Sequence, residues 1–401
     1  MDLNAGYPFW LIKSGLPYSY PYLEKNLATD VLIMGAGISG ALMAFELVKR
    51  GIKCTVIDSR TVGLGSTCGS TSLLQYEIDT PLSELSRMIG KDKAVNAYNL
   101  CSRAIDELEK IAIKIGFSDF ERGKSLYYAA AKKDMFFLEK EFNARKEAGF
   151  ELDLLNENSI WQRFKFSAHA AILSQQAAQT NAYDFTHELL QYGMKKGLEV
   201  YDRTKGLIIK YKKNKILLTT DKGYSIKANH LVYATGYESL RYIDDKYLEL
   251  KSTYAVCSEQ MNKKYLNSLA GTLFWNTADP YLYMRLTSDN RILIGGRDEN
   301  FYDPIKRDKL LPAKVRSLTA DFKKIFPGIA FKPEFSWAGT FGSTKDGLPF
   351  IGKYKKLKNT YFSLGFGGNG ITFSLVAAKI NADLITGKKN KHQELFSFER
   401  I

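Results

Sequence analysis

The sequence predicts an α/β fold in which a parallel, helix-covered sheet is interleaved along the chain with an antiparallel, strand-rich α+β part. Three observations predict it. The stretch 31–58, "VLIMGAGISGALMAFELVKRGIKCTVID", reads as strand, glycine turn, helix and second strand. Short strand-like runs divided by turn signals follow one another from residue 199 to 296. No repeat or low-complexity linker divides the 401 residues, so the two parts alternate instead of standing in series.

Taken in order, residues 1–30 form an aromatic, proline-containing arm. "DVLIMG" is a short apolar run suited to a strand buried on both faces. "SGALMAFELVKRG" places Leu42, Phe45, Leu47 and Val48 on helical spacing and ends at Gly51, a C-cap signal. "KCTVID" is the next strand. Between Asp92 and Gly116, Ala94, Tyr98, Cys101, Ile105, Leu108, Ala112 and Ile115 recur at helix spacing. Further helices are expected over 133–148, from about residue 183, through "RDKLLPAKVRSLTADFKKIF" and from Ile371 to Thr386. "EVYDR", "GLIIKY", "KILLTT", "YSIKA" and "HLVYATG" read as a small antiparallel meander, and "YLYMRLTSDNRILIGG" as a hairpin turning at Ser288–Asn290.

The hydrophobic fraction of 45% is that of a chain with a core, and the net charge is +14. The lysines are scattered through tracts such as "YKKNK", "KYKKLK" and "GKKNKH" and form no basic stripe, so nucleic acid is not expected as a partner. Cys54, Cys68, Cys101 and Cys257 contain no CxxC pair, and Cys68 reads as a small buried side chain. His169, His187, His230 and His392 lack metal-ligand spacing. With no signal peptide and no apolar run of about 20 residues, a cytoplasmic protein without a transmembrane segment is expected.

Gly35, Gly37 and Gly40 make G-x-G-x-x-G between strand and helix, and Asp58 ends the second strand. The first glycine permits a tight turn, the second a close approach of pyrophosphate, and the third close helix–strand packing. The helix N-terminus then faces the phosphates, and a carboxylate at Asp58 suits a ribose hydroxyl. The order of these parts points to a dinucleotide. "GLGSTCGSTSLLQ" (63–75) offers short hydroxyls and free amides for a long polar ligand. "LVYATGY" (231–237), "WAGTFGSTKDGLPFIG" (337–352) and "LGFGGNGIT" (364–372) add further glycine turns.

Together these motifs resemble the D-amino-acid-oxidase-like family of FAD-dependent oxidoreductases, which includes glycine oxidase, sarcosine oxidase and gamma-glutamylputrescine oxidase. The resemblance covers about Asp30 to Gly387. It implies a Rossmann-like FAD-binding domain over 1–95, 165–245 and 336–401, and a substrate domain over 96–164 and 246–335. It implies FAD contacts at Gly35, Ala36, Gly37, Ile38, Ser39 and Gly40, at Asp58, Ser59 and Arg60, and at Ser66, Thr67, Thr71 and Ser72. Thr235, Gly236 and Gly339 follow, and Gly367, Gly368, Asn369, Gly370, Ile371 and Thr372 would face the flavin pyrimidine edge.

The departures from the family pattern are informative. Glycine oxidase has arginines where this chain has Phe341 and Gly368. Sarcosine oxidase has a lysine at Thr372 and an arginine at Gln75. Its flavin-attaching cysteine falls near Gly339 and its oxygen-activating lysine near Leu293, while the histidine of a covalent dehydrogenase branch falls near Gly69. Non-covalent FAD is therefore expected, and a tightly gripped α-carboxylate is not. In "PYLYMRL", Tyr281, Tyr283 and Arg285 share one strand face and, with Tyr254, Gln75 and Phe341, are the substrate candidates. The alternative is half-buried sheet residues, with Arg285 reaching solvent.

The expected activity is oxidation of a primary or secondary amine by hydride transfer to flavin N5, the imine then hydrolysing, with O2 or another electron acceptor. An FAD enzyme modifying tRNA and a non-catalytic flavoprotein are the alternatives.

Overall fold

The computed structural model describes residues 1–212 and 215–400, so Lys213 and Asn214 of the "YKKNK" tract lie outside the described residues. Among the described residues the strands form two sheets.

The first sheet is built around Leu27–Met34. It pairs in parallel with Cys54–Ile57 on one side and Ser225–Tyr233 on the other. Glu199–Tyr201 extends it in parallel beside Cys54–Ile57, and Thr360–Leu364 does so beside Ser225–Tyr233. Both faces are covered, which is why the central strand reads as unbroken apolar sequence. Val31 and Ile33 pack under the helices Ile38–Lys49, Ala182–Met194 and Gly370–Ile385. Leu32 and Met34 face a second cluster with Ile216, Leu218, Phe350 and Phe362.

The expected meander exists as Gly206–Tyr211, Ile216–Thr220 and Ser225–Tyr233. Its parts differ in two respects from the sequence reading. "EVYDR" supplies a parallel edge strand, because the helix Ala182–Met194 returns the chain beside Cys54–Ile57. "YSIKA" and "HLVYATG" are one strand, which pairs in parallel with Leu27–Met34 along its length while its first half also closes the meander.

The second sheet is largely antiparallel and gathers Asn4–Gly6, Leu73–Gln75, Phe120–Tyr128, Leu152–Asn156, Ala170–Thr180, Glu249–Ser258, Thr272–Asn276, Tyr283–Leu286, Ile292–Glu299 and Pro333–Ser343. Asn4–Gly6, Leu73–Gln75 and Ala170–Thr180 thus pair here, although they lie in chain segments read as dinucleotide-binding. One face packs on the helix Pro304–Ile325 through Tyr254, Val256, Ile292, Ile294, Leu318 and Phe322. The other face closes over the glycine turns of the first sheet, and the cavity between the two is the site described next. Among the described residues no helix is long and apolar enough to cross a membrane.

Candidate active site

At one end of the cavity the glycines act in three different ways. Gly35 has φ +109, and a Cβ there would overlap the Ala234 carbonyl of the neighbouring strand. A Cβ on Gly40 would overlap the Gly35 carbonyl oxygen, so the helix sits directly on the turn. Gly37 has an ordinary φ of −83, yet a Cβ would stand 2.7 Å from Thr67 Oγ1. That hydroxyl accepts the Ile38 N–H at 3.1 Å, tying the 63–75 loop to the helix N-terminus. The Asp58 carboxylate accepts the N–H groups of Ala36 (2.7 Å) and Arg60 (2.8 Å). Burial raises its pKa, and those two bonds pull it back. The Arg60 guanidinium pairs with Glu238 at 2.7 Å.

Gly35, Gly37, Ile38, Ser39, Asp58, Ser59 and Arg60 line the cavity here, as do Ser66, Thr67, Thr71, Ser72, Thr235 and Gly236. Ala36 and Gly40 stand behind this lining and shape it through backbone.

At the opposite end Gly339, Gly367, Gly368, Gly370 and Ile371 line the cavity. Asn369 and Thr372 stand behind. The Asn369 amide donates to the carbonyls of Gln75 (3.1 Å) and Glu77 (2.8 Å), and the Thr372 hydroxyl donates to the Asn369 carbonyl. Gly367 has φ +54, and Gly368 donates its N–H to Asp79 at 2.8 Å.

The residues present fit FAD. A continuous cavity joins the glycine turn at the N-terminus of Ile38–Lys49 to a second glycine turn at the start of Gly370–Ile385. All four cysteines are buried, and burial raises the thiols of Cys54 to about 12, Cys68 to about 11 and Cys257 to about 12. Cys68 Sγ donates to the Gly65 carbonyl at 3.3 Å.

Of the substrate candidates, Gln75, Tyr281, Tyr283 and Phe341 line the cavity. Room for the Tyr283 ring depends on Gly295, where a Cβ would overlap it. Tyr254 and Arg285 do not line the cavity. Tyr254 is on the opposite face of its strand, among the residues under Pro304–Ile325, and its neighbour Thr253 takes the cavity face. Arg285 is buried, with Nε on the Thr71 carbonyl (2.9 Å), Nη2 on the Thr180 carbonyl (2.8 Å) and its guanidinium over Trp10. Burial lowers its pKa to about 10, so it is a cation at neutral pH, held by backbone carbonyls.

Sequence reasoning missed Asp298 and Asp79. Asp298 lines the cavity, and its Oδ1 is buried without a hydrogen-bond partner. Asp79 is exposed at the rim, where its Oδ1 accepts the Tyr281 hydroxyl at 3.2 Å. Asp298 follows directly on "ILIGGR", and the glycine pair there was the one available hint of irregular strand geometry.

Comparison with known proteins agrees with this geometry. The family model described as DAO, FAD dependent oxidoreductase, matches residues 30–384. A Bacillus subtilis (strain 168) protein, YhfW, named for a Rieske 2Fe-2S iron-sulfur protein, is 24% identical over 98% of this chain and 75% of its own length. Gamma-glutamylputrescine oxidoreductase of Escherichia coli (strain K12) is 22% identical over 91% of this chain and 85% of its own. The crystal structure of glycine oxidase from Geobacillus kaustophilus superposes with a TM-score of 0.78 at 19% identity, covering 93% of this chain and 99% of that one. With a cavity lined at both ends by glycine turns and a family match spanning most of its length, the chain belongs to the DAO family of FAD-dependent oxidoreductases.

Proposed function

We propose that the protein oxidises a primary or secondary amine at its C–N bond. Bound FAD supplies the two-electron oxidation. The chain's own residues orient the amine and keep water from it, and the resulting imine is hydrolysed by water to a carbonyl and a released amine or ammonia. The observation that carries this reading is the wall of the substrate end. It is made of Tyr281, Tyr283 and Phe341, with Gln75 beside them, and Arg285 is committed to backbone carbonyls. An α-carboxylate placed there meets no arginine or lysine among the lining residues of that end. Leaving it unpaired costs several kcal/mol in effective terms. A tRNA substrate is disfavoured by Asp79 and Asp298 at the same end, which repel phosphate.

Anaerobic titration of the flavin absorbance against a panel of amines tests the reading. Simple amines should bleach the flavin at lower concentrations than glycine, sarcosine or D-alanine. Ready bleaching by those amino acids would refute it. The electron acceptor is O2 or another oxidant, separable by comparing oxygen uptake with dye reduction.

A further inference from the structure

The strand Ile292–Glu299 carries an irregularity that decides which side chain enters the cavity. Tyr254 pairs with Gly296, but Ser252, two residues earlier on its strand, pairs with Glu299, three residues later on the other. One extra residue is therefore inserted, a β-bulge, and Arg297 sits there with φ +59. Before the bulge, Ile292 and Ile294 face the helix Pro304–Ile325, while Gly295 lies under the Tyr283 ring on the cavity face. Plain alternation would send residue 297 into the cavity and 298 toward the helix. The bulge reverses this. Arg297 turns to the helix and pairs with Asp321, and Asp298 lines the cavity beside Thr253 and Tyr283.

The carboxylate so placed lacks a counter-charge. Asp298 Oδ1 is shut off from solvent with no hydrogen bond, and among the described residues neither Asp298 nor Asp79 makes an ion pair. The nearby cations are Lys314 and Lys251. Lys314 Nζ is bound to the Arg297 carbonyl and to Glu299, and Lys251 acts on both carboxylates only through its field. Between the acids, the Tyr281 and Tyr283 rings lie 5.8 Å apart and offer faces that attract a cation.

An amine that gives up hydrogen from its α-carbon reacts as the neutral base, so its own charge cannot anchor it during reaction. We propose that the substrate carries a second, permanently protonated nitrogen, and that Asp298, with Asp79 at the rim, holds it. The substrate class is an aliphatic diamine or longer polyamine. This rests on the amine-oxidation reading above and names its specificity-determining residue.

The test uses purified holoenzyme with two readouts: flavin bleaching under anaerobic conditions, and perturbation of the flavin spectrum together with thermal shift as turnover-independent binding. The probes are 1,4-diaminobutane, 1-aminopentane as a chain of matching length with a methyl end, and 4-aminobutanoate. The diamine should bind on the order of tenfold or more tighter than the monoamine, the worth of one charge-assisted hydrogen bond. The anionic probe should bind worst. In Asp298→Asn the diamine-to-monoamine ratio should fall to about one, while Asp298→Glu should restore it. FAD content of each variant confirms that it has folded. Equal binding of diamine and monoamine by the wild type, or a ratio untouched in Asp298→Asn, overturns the inference even if amines bleach the flavin. Asp298-dependent diamine binding without bleaching by any amine would sustain the inference and overturn amine oxidation instead.

Discussion

Asp298 is the residue whose environment makes the sharpest demand. Burial raises its carboxyl pKa to about 6; Asp79 adds to that, and Thr253, Lys251 and Lys314 oppose it. An unfolded aspartate titrates near 4, so the folded chain holds the proton more tightly. Its contribution to stability is therefore fully present below about pH 4 and is lost as pH rises through about 6. Asp298→Asn should accordingly raise the thermal midpoint of the holoenzyme more at pH 7.5 than at pH 5, read by scanning fluorimetry at both values. A gain that is equal at the two pH values would mean the carboxyl is not ionising in that window. Gly37 makes a different demand. Gly37→Val would drive its side chain into Thr67 Oγ1, break the Ile38–Thr67 bond and fill the phosphate approach. The variant should fold but purify nearly free of flavin, as absorbance at 450 nm against 280 nm would record. At this scale the sequence was readable where a motif carries fixed geometry: Gly35, Gly37, Gly40 and Asp58 stand where their spacing put them. It misled at Arg285, because strand alternation gives the face of a side chain and not the backbone carbonyls waiting behind it. Asp79 carried no signal, since its partners Gly368 and Tyr281 lie 289 and 202 residues away.

Among the elements, the strand Tyr283–Leu286 and the strand Ile292–Glu299 behave as one device. Gly295 leaves the space that the Tyr283 ring fills, and Gly296, with φ +131, leads into the bulge. Gly295→Ala should therefore displace Tyr283 and weaken amine binding, while FAD content stays near wild type because the glycine turns are untouched. The variant's apparent dissociation constant, measured by flavin perturbation, checks this. The hairpin itself was legible from "LTSDNR" between two apolar runs, but the bulge on the far side of its second strand was not. A bulge depends on how a third strand, Glu249–Ser258, pairs from the far side. The parallel sheet was read well for the opposite reason. Its strands are buried on one face by helices and on the other by the cluster around Ile216, Leu218 and Phe350, so their apolar runs announce them. "EVYDR" was misassigned because a short edge strand has the same composition in either direction.

Across the whole molecule, the cavity takes the end lined by Gly35, Gly37 and Asp58 from the first sheet and the end lined by Tyr281, Tyr283 and Phe341 largely from the second, and the two sheets alternate along the chain. Interleaving was apparent from the missing linker, whereas sheet membership was not: Ala170–Thr180 joins the antiparallel sheet because it pairs with Phe120–Tyr128, a contact set by tertiary closure. Arg285 bridges these parts by bonding the 63–75 loop through Thr71 and the strand end at Thr180. The flavin is expected to be held by such contacts alone, since every cysteine is buried with Cys54, Cys68 and Cys257 raised in pKa. Acid precipitation should leave FAD in the supernatant, identified by mass; yellow colour retained in the pellet would show a covalent link.

The bulge at Arg297 has one more consequence. Whether this cavity is anionic is stored as a parity. With the bulge an aspartate faces the cavity; were the same residues paired without it, alternation from Ile294 would bring Arg297 inward and turn Asp298 outward to the helix Pro304–Ile325. A shift of pairing alone would therefore change the charge of the site without substituting any residue of the strand. Two chains with the same residues along this strand could then prefer oppositely charged substrates, and the presence of the bulge would be the specificity determinant.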